Sequence, residues 1–207
     1  MTDFHIDKLA VVGVGLIGGS LALALKEAGA VGHVVGIGRG LPNLETALRL
    51  GVVDSYTLDL AEGVADADVI FLATPVQALG TVAEQAMPHL KAGAIITDGG
   101  SVKQAVIDAI EPHLRDDIHF VPGHPIAGTE NSGAEAAFAT LYRDRRCILT
   151  PTGKTASEAL DRMQRMWQLV GSQVVIMDVE KHDRVLAAIS HLPHMVAYAL
   201  VNAVGSY

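Results

Sequence analysis

The sequence predicts an α/β fold: a doubly wound parallel sheet, followed by the start of an all-helical domain. Three observations predict it. Short apolar runs recur between segments of helical composition, the rhythm of βαβ units. A glycine cluster, Gly13-Val14-Gly15-Leu16-Ile17-Gly18, sits directly after the first apolar run. From about Val179 the alternation gives way to one long apolar stretch.

The elements follow in order. Residues 8–12 (KLAVV) read as a buried parallel strand, because a strand covered on both faces is apolar throughout rather than alternating. The composition predicts a helix over 20–28, closed by Gly29. Residues 33–37 (HVVGI) read as the second strand, and 43–50 as a helix closed by Gly51. The clearest strand is 68–73 (DVIFLA), stopped by Thr74-Pro75, with a helix over about 76–90 after it. Residues 94–97 (AIIT) give another strand, 102–114 a helix perturbed by Pro112, and 118–121 (IHFV) a strand running into Pro122-Gly123. Beyond Gly123 the texture changes. Residues 129–141 read as a polar, alanine-rich loop or short helix, 147–150 and 173–177 as strands, and 154–170 as a helix. Residues 179–206 read as one long apolar helix interrupted by Pro193. The expected division is residues 1–178 for the sheet domain and 179–207 for the helical one.

Composition bounds the function. Half of the 207 residues are hydrophobic and 18% are charged, so a packed core forms and disorder is excluded. A formal net charge of −8 argues against nucleic acid or an anionic membrane as partner. The single cysteine, Cys147, excludes an internal disulfide and a zinc site built on thiolates, and no metal site is expected. The start, with Asp3, His5 and Asp7, lacks a signal-peptide pattern, and the longest apolar runs read as short or glycine-broken. A cytoplasmic protein with no membrane span is the expectation.

The glycine cluster has a specific chemical logic. Gly13 permits the tight turn, Gly15 lets a pyrophosphate approach the backbone, and Gly18 lets the following helix pack close to the strand. The N–H groups at the helix start, Leu16 and Ile17 among them, then face the phosphates. This is the fingerprint of a Rossmann-type dinucleotide domain. Such domains usually carry a carboxylate at the end of the second strand, for the adenosine ribose. Here that stretch reads Gly36-Ile37-Gly38-Arg39-Gly40. An arginine suits a ribose 2′-phosphate, so NADP is favoured as cofactor and NAD is possible; Arg39 as a solvated surface residue is the alternative.

Three more clusters carry chemistry: Asp98-Gly99-Gly100-Ser101-Val102-Lys103, Gly123-His124-Pro125-Ile126-Ala127-Gly128-Thr129-Glu130, and Ser190-His191-Leu192-Pro193-His194. Each also has a structural reading. Ser101 suits a helix N-cap, His124 a turn, and Pro193 a kink.

Taken together, these clusters, the His182-Asp183 pair ahead of the last of them, the GVGLIGGS turn and Ala73-Thr74-Pro75 resemble the prephenate/arogenate (cyclohexadienyl) dehydrogenase family of tyrosine biosynthesis, over essentially the whole chain. The resemblance implies NAD(P)-dependent oxidative decarboxylation of prephenate and/or arogenate to 4-hydroxyphenylpyruvate and/or tyrosine. It implies that His124 accepts the ring hydroxyl proton, as a neutral histidine near its ordinary pKa suits. Ser101 would hydrogen-bond that hydroxyl or His124. His191 would sit beside the substrate, Thr129 and Glu130 in the loop over the pocket, and Thr74 and Pro75 on the cofactor side. A homodimer through the C-terminal helices is implied too. Two departures stand out: the missing ribose carboxylate, and a chain that stops where the family's helical dimerisation domain, with its substrate-gripping arginine, is expected to continue. The alternatives are a Rossmann dehydrogenase of the β-hydroxyacid type, which uses a lysine and lacks GHPIAGTE, and a cofactor-binding module without activity.

Overall fold

The computed structural model describes residues 4–205 of the chain. Nine strands and eight α-helices alternate among these residues: β1 Ile6–Val12, α1 Leu16–Glu27, β2 Val31–Ile37, α2 Leu41–Arg49, β3 Ser55–Thr57, α3 Leu60–Val64, β4 Val69–Leu72, α4 Val76–Ala86, β5 Ile95–Asp98, α5 Lys103–Ile110, β6 His119–Val121, β7 Gly123–Pro125, β8 Arg146–Leu149, α6 Ser157–Leu169, β9 Gln173–Ile176, α7 Val179–Leu186 and α8 Leu192–Gly205. The first six strands form one parallel sheet in the order β3-β2-β1-β4-β5-β6. The order reverses direction between β1 and β4, and ligands collect at such a switch point, outside the carboxyl ends of the strands.

The apolar runs are strands because both sheet faces are covered. Leu9, Val11, Val69 and Phe71 face one core layer; Ala10, Val12, Ile70 and Leu72 face the other. Trp167 of α6 is fully buried and packs edge-on against Phe71, with ring centroids 5.9 Å apart, and against Tyr142, at 5.1 Å. Thus α6, from the later part of the chain, closes a face of the first sheet.

Several boundaries differ from expectation for physical reasons. Helix α1 begins at Leu16, not residue 20, because the glycines that lower helix propensity are the ones that let it pack. Pro88 and Pro112 tighten the ends of two helices into 3₁₀ turns, Met87–His89 and Glu111–His113. The short β3 and α3 were not expected, nor was β7. The strand β7 begins a second, three-stranded sheet, β7-β8-β9, in which His124 pairs with Ile148. The expected loop or short helix over 129–141 holds a single 3₁₀ turn, Ala134–Ala136.

The apolar C-terminal stretch is helical throughout Val179–Gly205, broken by a π-turn at Ala187–His191. That wider turn precedes Pro193, whose missing N–H and ring need relief in the preceding turn. Of the helix expected over 179–206, Ser206 lies outside the described residues, as do residues 1–3 and Tyr207 of the expected domains. The run is longer than the sequence reading allowed: over its 27 residues, a window of mean hydropathy 1.3 is long and apolar enough to cross a membrane. Its outer part carries Leu192, Met195, Val196, Tyr198, Leu200, Val201 and Val204, all exposed.

Candidate active site

The glycine turn lies at the switch point. Gly13 adopts φ +96°, and a Cβ there would meet the Ala73 carbonyl oxygen at 2.6 Å, so only glycine fits. A Cβ on Gly18 would collide with the Gly13 carbonyl oxygen and meet the Val11 side chain at 2.7 Å. Gly15 faces open space instead, with nothing within 4 Å of a Cβ position. The N–H of Gly19 donates to Gly15 O at 2.8 Å, so the N–H groups of Leu16, Ile17 and Gly18 precede this first helical bond and have no partner one turn back in the helix. This combination of two sealed glycines, one open glycine and free helix-start donors fits a pyrophosphate. Next to it runs a cleft of ≈ 700 Å³, lined by Gly13, Gly38, Arg39, Leu58, Leu60, Thr74 and Pro75. Thr74 Oγ1 is buried without a hydrogen-bond partner, and Arg39 is exposed and forms no ion pair among the described residues.

The next strand end builds a polar frame. Asp98 closes β5 and is fully buried with Lys103. Lys103 Nζ donates to Asp98 Oδ2 and, at 2.7 Å, to Gly123 O. Asp98 also accepts the N–H of Gly100, at 2.8 Å, and of Gly123, at 3.1 Å. One ion pair therefore locks the Gly99-Gly100 turn to the first residue of β7, which places His124. The same turn abuts the dinucleotide turn: a Cβ on Gly99 would lie 3.2 Å from Ile17.

Behind His124 runs a line of donors and acceptors. His124 Nδ1 lies 2.9 Å from His182 Nε2, and His182 Nδ1 lies 2.7 Å from Asp183 Oδ1. Asp183 further accepts the backbone N–H of Lys103, at 2.8 Å, and of Gln104, at 2.9 Å, capping α5 from a different helix. Burial works to raise the Asp183 carboxyl, but these N–H donors and His182 outweigh it and hold it below its ordinary value. The tautomers follow. A carboxylate only accepts, so His182 Nδ1 carries the proton and its Nε2 accepts from His124 Nδ1–H. That leaves the lone pair of His124 on Nε2, away from His182.

The His124 pKa is not near its ordinary value, as the sequence reading supposed; it is lowered to about 3. Burial is the largest cause, followed by the charge of Lys103, then His182 and His191, with Asp183 opposing. Burial also lowers His182, against the pull of Asp183.

The other expected site residues fall as follows. Ser101 is exposed, precedes the Val102 N-cap of α5, and makes no hydrogen bond to His124. It is not the N-cap side chain, because Asp183 does that job. His191 ends the π-turn, half-buried, near enough to act on His124 electrostatically. Thr129 and Glu130 lie on an exposed loop, where Thr129 Oγ1 accepts the Asn131 N–H at 3.3 Å. Sequence reasoning assigned no role to Asp98, Lys103, His182 or Asp183, although the His182-Asp183 pair was visible beside the SHLPH cluster.

Known proteins resemble this chain along its length. Residues 21–176 match the family description "Prephenate dehydrogenase, nucleotide-binding domain", and residues 178–206 match "Prephenate dehydrogenase, dimerization domain". The chain is 40% identical to the cyclohexadienyl dehydrogenase of Zymomonas mobilis over 207 residues, all of this chain and 70% of that protein. It is 38% identical to the prephenate dehydrogenase of Bacillus subtilis over 197 residues, 95% of this chain and 53% of that one. The chain thus spans between about half and 70% of these relatives. The crystal structure of A. aeolicus prephenate dehydrogenase in complex with hydroxyphenyl propionate and NAD+ superposes with a TM-score of 0.91 at 36% identity, covering 98% of this chain and 70% of that one. With both halves of its fold matched and the full length aligned to a relative at this identity, the chain belongs to the prephenate dehydrogenase family.

Proposed function

We propose that this chain catalyses the oxidative decarboxylation of prephenate and/or arogenate to 4-hydroxyphenylpyruvate and/or tyrosine, with a nicotinamide dinucleotide at the glycine turn. The observation that carries this reading is the line Asp183–His182–His124, which aims an unprotonated Nε2 from the carboxyl edge of the sheet. His124 Nε2 accepts the proton of the ring hydroxyl while His182 takes up the Nδ1–H hydrogen bond and Asp183 balances the charge on the pair. A nicotinamide held at this edge would supply the acceptor for the hydride that leaves the hydroxyl-bearing carbon, and loss of the ring carboxylate as CO2 would complete aromatisation. Burial, with the charge of Lys103 beside it, keeps His124 unprotonated in the resting site; the negative charge of a carboxylate substrate favours its protonated form as the proton arrives. Ser101 orients the same hydroxyl, His191 flanks the substrate, and Thr129 and Glu130 cover it.

For the cofactor, Leu16 and Ile17 N–H groups hold the pyrophosphate, and Thr74 and Pro75 line its cleft. Arg39, exposed and without a carboxylate partner among the described residues, supports NADP over NAD. The β-hydroxyacid alternative is not favoured, because GHPIAGTE falls inside the matched segment. We read residues 1–178 and 179–207 as the two domains. A second copy of the chain covers the exposed apolar residues of α8, giving a cytoplasmic homodimer. The match of this segment to a dimerization domain favours that partner over a membrane.

The test is a steady-state comparison of prephenate and arogenate, each with NAD and NADP, followed by the absorbance of reduced nicotinamide. Turnover of at least one ring substrate is expected. Cofactor binding with no turnover in any combination would leave a binding module as the better reading.

A further inference from the structure

We propose that Asn43 is a positioning residue for the dinucleotide turn, acting by fixing the orientation of the Val14–Gly15 peptide. This rests on the reading that the turn binds a pyrophosphate. Asn43 lies in the first turn of α2, half-buried, between the glycine turn and the segment that follows Gly133. Its Nδ2 donates to Val14 O at 2.7 Å, and its Oδ1 accepts the Ala134 N–H at 2.9 Å. A carbonyl can only accept and a backbone N–H can only donate, so the amide has one possible orientation.

The Val14–Gly15 peptide ends on a glycine, whose φ offers little resistance to a flip. A flip of the Val14–Gly15 peptide would turn a carbonyl oxygen to where the Gly15 N–H now stands. That oxygen would stand against Gly13 O, two acceptors facing each other, and the turn that receives the phosphates would have to open. The bond from Asn43 holds the carbonyl on the α2 side, and Gly15 N–H, on the opposite edge of the same peptide, bonds Gly13 O at 3.0 Å.

Other ties in this region hold the helix, not the turn. Phe138 N–H donates to Ser20 Oγ at 3.0 Å, and the Tyr142 hydroxyl donates to Ile17 O at 2.6 Å. These bonds fasten the segment after the Thr129-Glu130 loop to α1. Asn43 alone, among the described residues, links that segment by its side chain to the carbonyl between the two glycines.

Three variants separate a positioning role from a structural one. Asn43→Asp keeps the acceptor for Ala134 N–H and puts an oxygen against the Val14 carbonyl. Asn43→Ala removes both bonds. Ser20→Ala removes a strap bond and leaves the turn untouched. Dissociation constants for NADH, NADPH and ADP are measured below the unfolding range of each variant. ADP reports the pyrophosphate without the nicotinamide. Asn43→Asp is expected to weaken all three by ~10-fold or more, the scale of one unmatched buried polar contact. Asn43→Ala weakens them severalfold, and Ser20→Ala leaves them within about twofold while lowering thermal stability. If Asn43→Ala and Asn43→Asp both bind like wild type, or if Ser20→Ala loses affinity as much as they do, the proposal is overturned. If the wild-type chain binds none of the three, the dinucleotide reading falls and takes this proposal with it.

Discussion

His182 stands directly behind His124: ring nitrogens Nε2 and Nδ1 lie 2.9 Å apart, and the rings meet edge to face at 68°. The carboxylate of Asp183 on the far side of His182 decides the proton positions through the whole line. A base is thereby prepared at His124 Nε2 without a charged partner touching it.

Replacing either ring should therefore separate chemistry from binding. His124→Asn is expected to lower turnover by ~10²-fold or more, the usual scale of acid–base catalysis, with dinucleotide affinity unchanged. His182→Leu keeps the volume and removes the acceptor for Nδ1–H. It should lower kcat by ~10–100-fold with a small change in KM, since a histidine held in the wrong tautomer loses much of its catalytic power. Near-normal kcat in either variant refutes the assigned role of that ring.

The depressed His124 pKa has a pH signature in stability. The folded value is about 3, against an ordinary value of 6.5. Between these values the unfolded chain binds a proton that the folded chain refuses, so stability falls as pH drops through this window and is unaffected above it. A tenfold difference in proton affinity is worth ~1.4 kcal/mol, so the acid-side loss from this group is ~5 kcal/mol at most. Denaturant titrations across the window should show a shallower loss for His124→Asn than for wild type. Parallel curves would mean that His124 is not buried unprotonated. In catalysis, a negatively charged substrate should place the acid limb of kcat at higher pH than the free-enzyme value of His124.

Gly13 and Gly15 should respond oppositely to alanine. At Gly13 a methyl group meets the Ala73 carbonyl and the backbone is left-handed, so Gly13→Ala should cost ~2 kcal/mol or more in folding stability. At Gly15 the space is open, so Gly15→Ala should melt close to wild type and bind dinucleotide ~10-fold or more weakly, because the methyl occupies the approach of the phosphates. Thermal melts paired with NADH titration check both. Full affinity in Gly15→Ala would place the pyrophosphate elsewhere.

Arg39 is testable on its own. If it meets a ribose 2′-phosphate, Arg39→Ser should weaken NADP by ~10–100-fold, the worth of a charge-assisted contact, and leave NAD nearly unchanged. Equal effects on both cofactors would return Arg39 to the solvated surface.

Much of this molecule is readable along the chain. The four central strands, β1, β2, β4 and β5, are short and largely apolar because they are covered on both faces, and the glycine spacing reports where a backbone must pass close to another group. Neither depends on distant partners, so local residue order determines both. The short Ser55–Thr57 and Gly123–Pro125 strands carry no such signal; they exist because neighbours offer them hydrogen bonds. The site itself was half legible. His124 stood out beside proline and glycine, but its partner His182 is 58 positions later, and the cap of α5 comes from Asp183, 80 positions after Lys103. Ser101, the obvious local candidate for that cap, was displaced by a carboxylate that only folding brings near. Residue type determines what a side chain can donate or accept; only the tertiary structure decides which partner, at which distance and in what burial, it meets, and those three set the protonation state on which the chemistry turns.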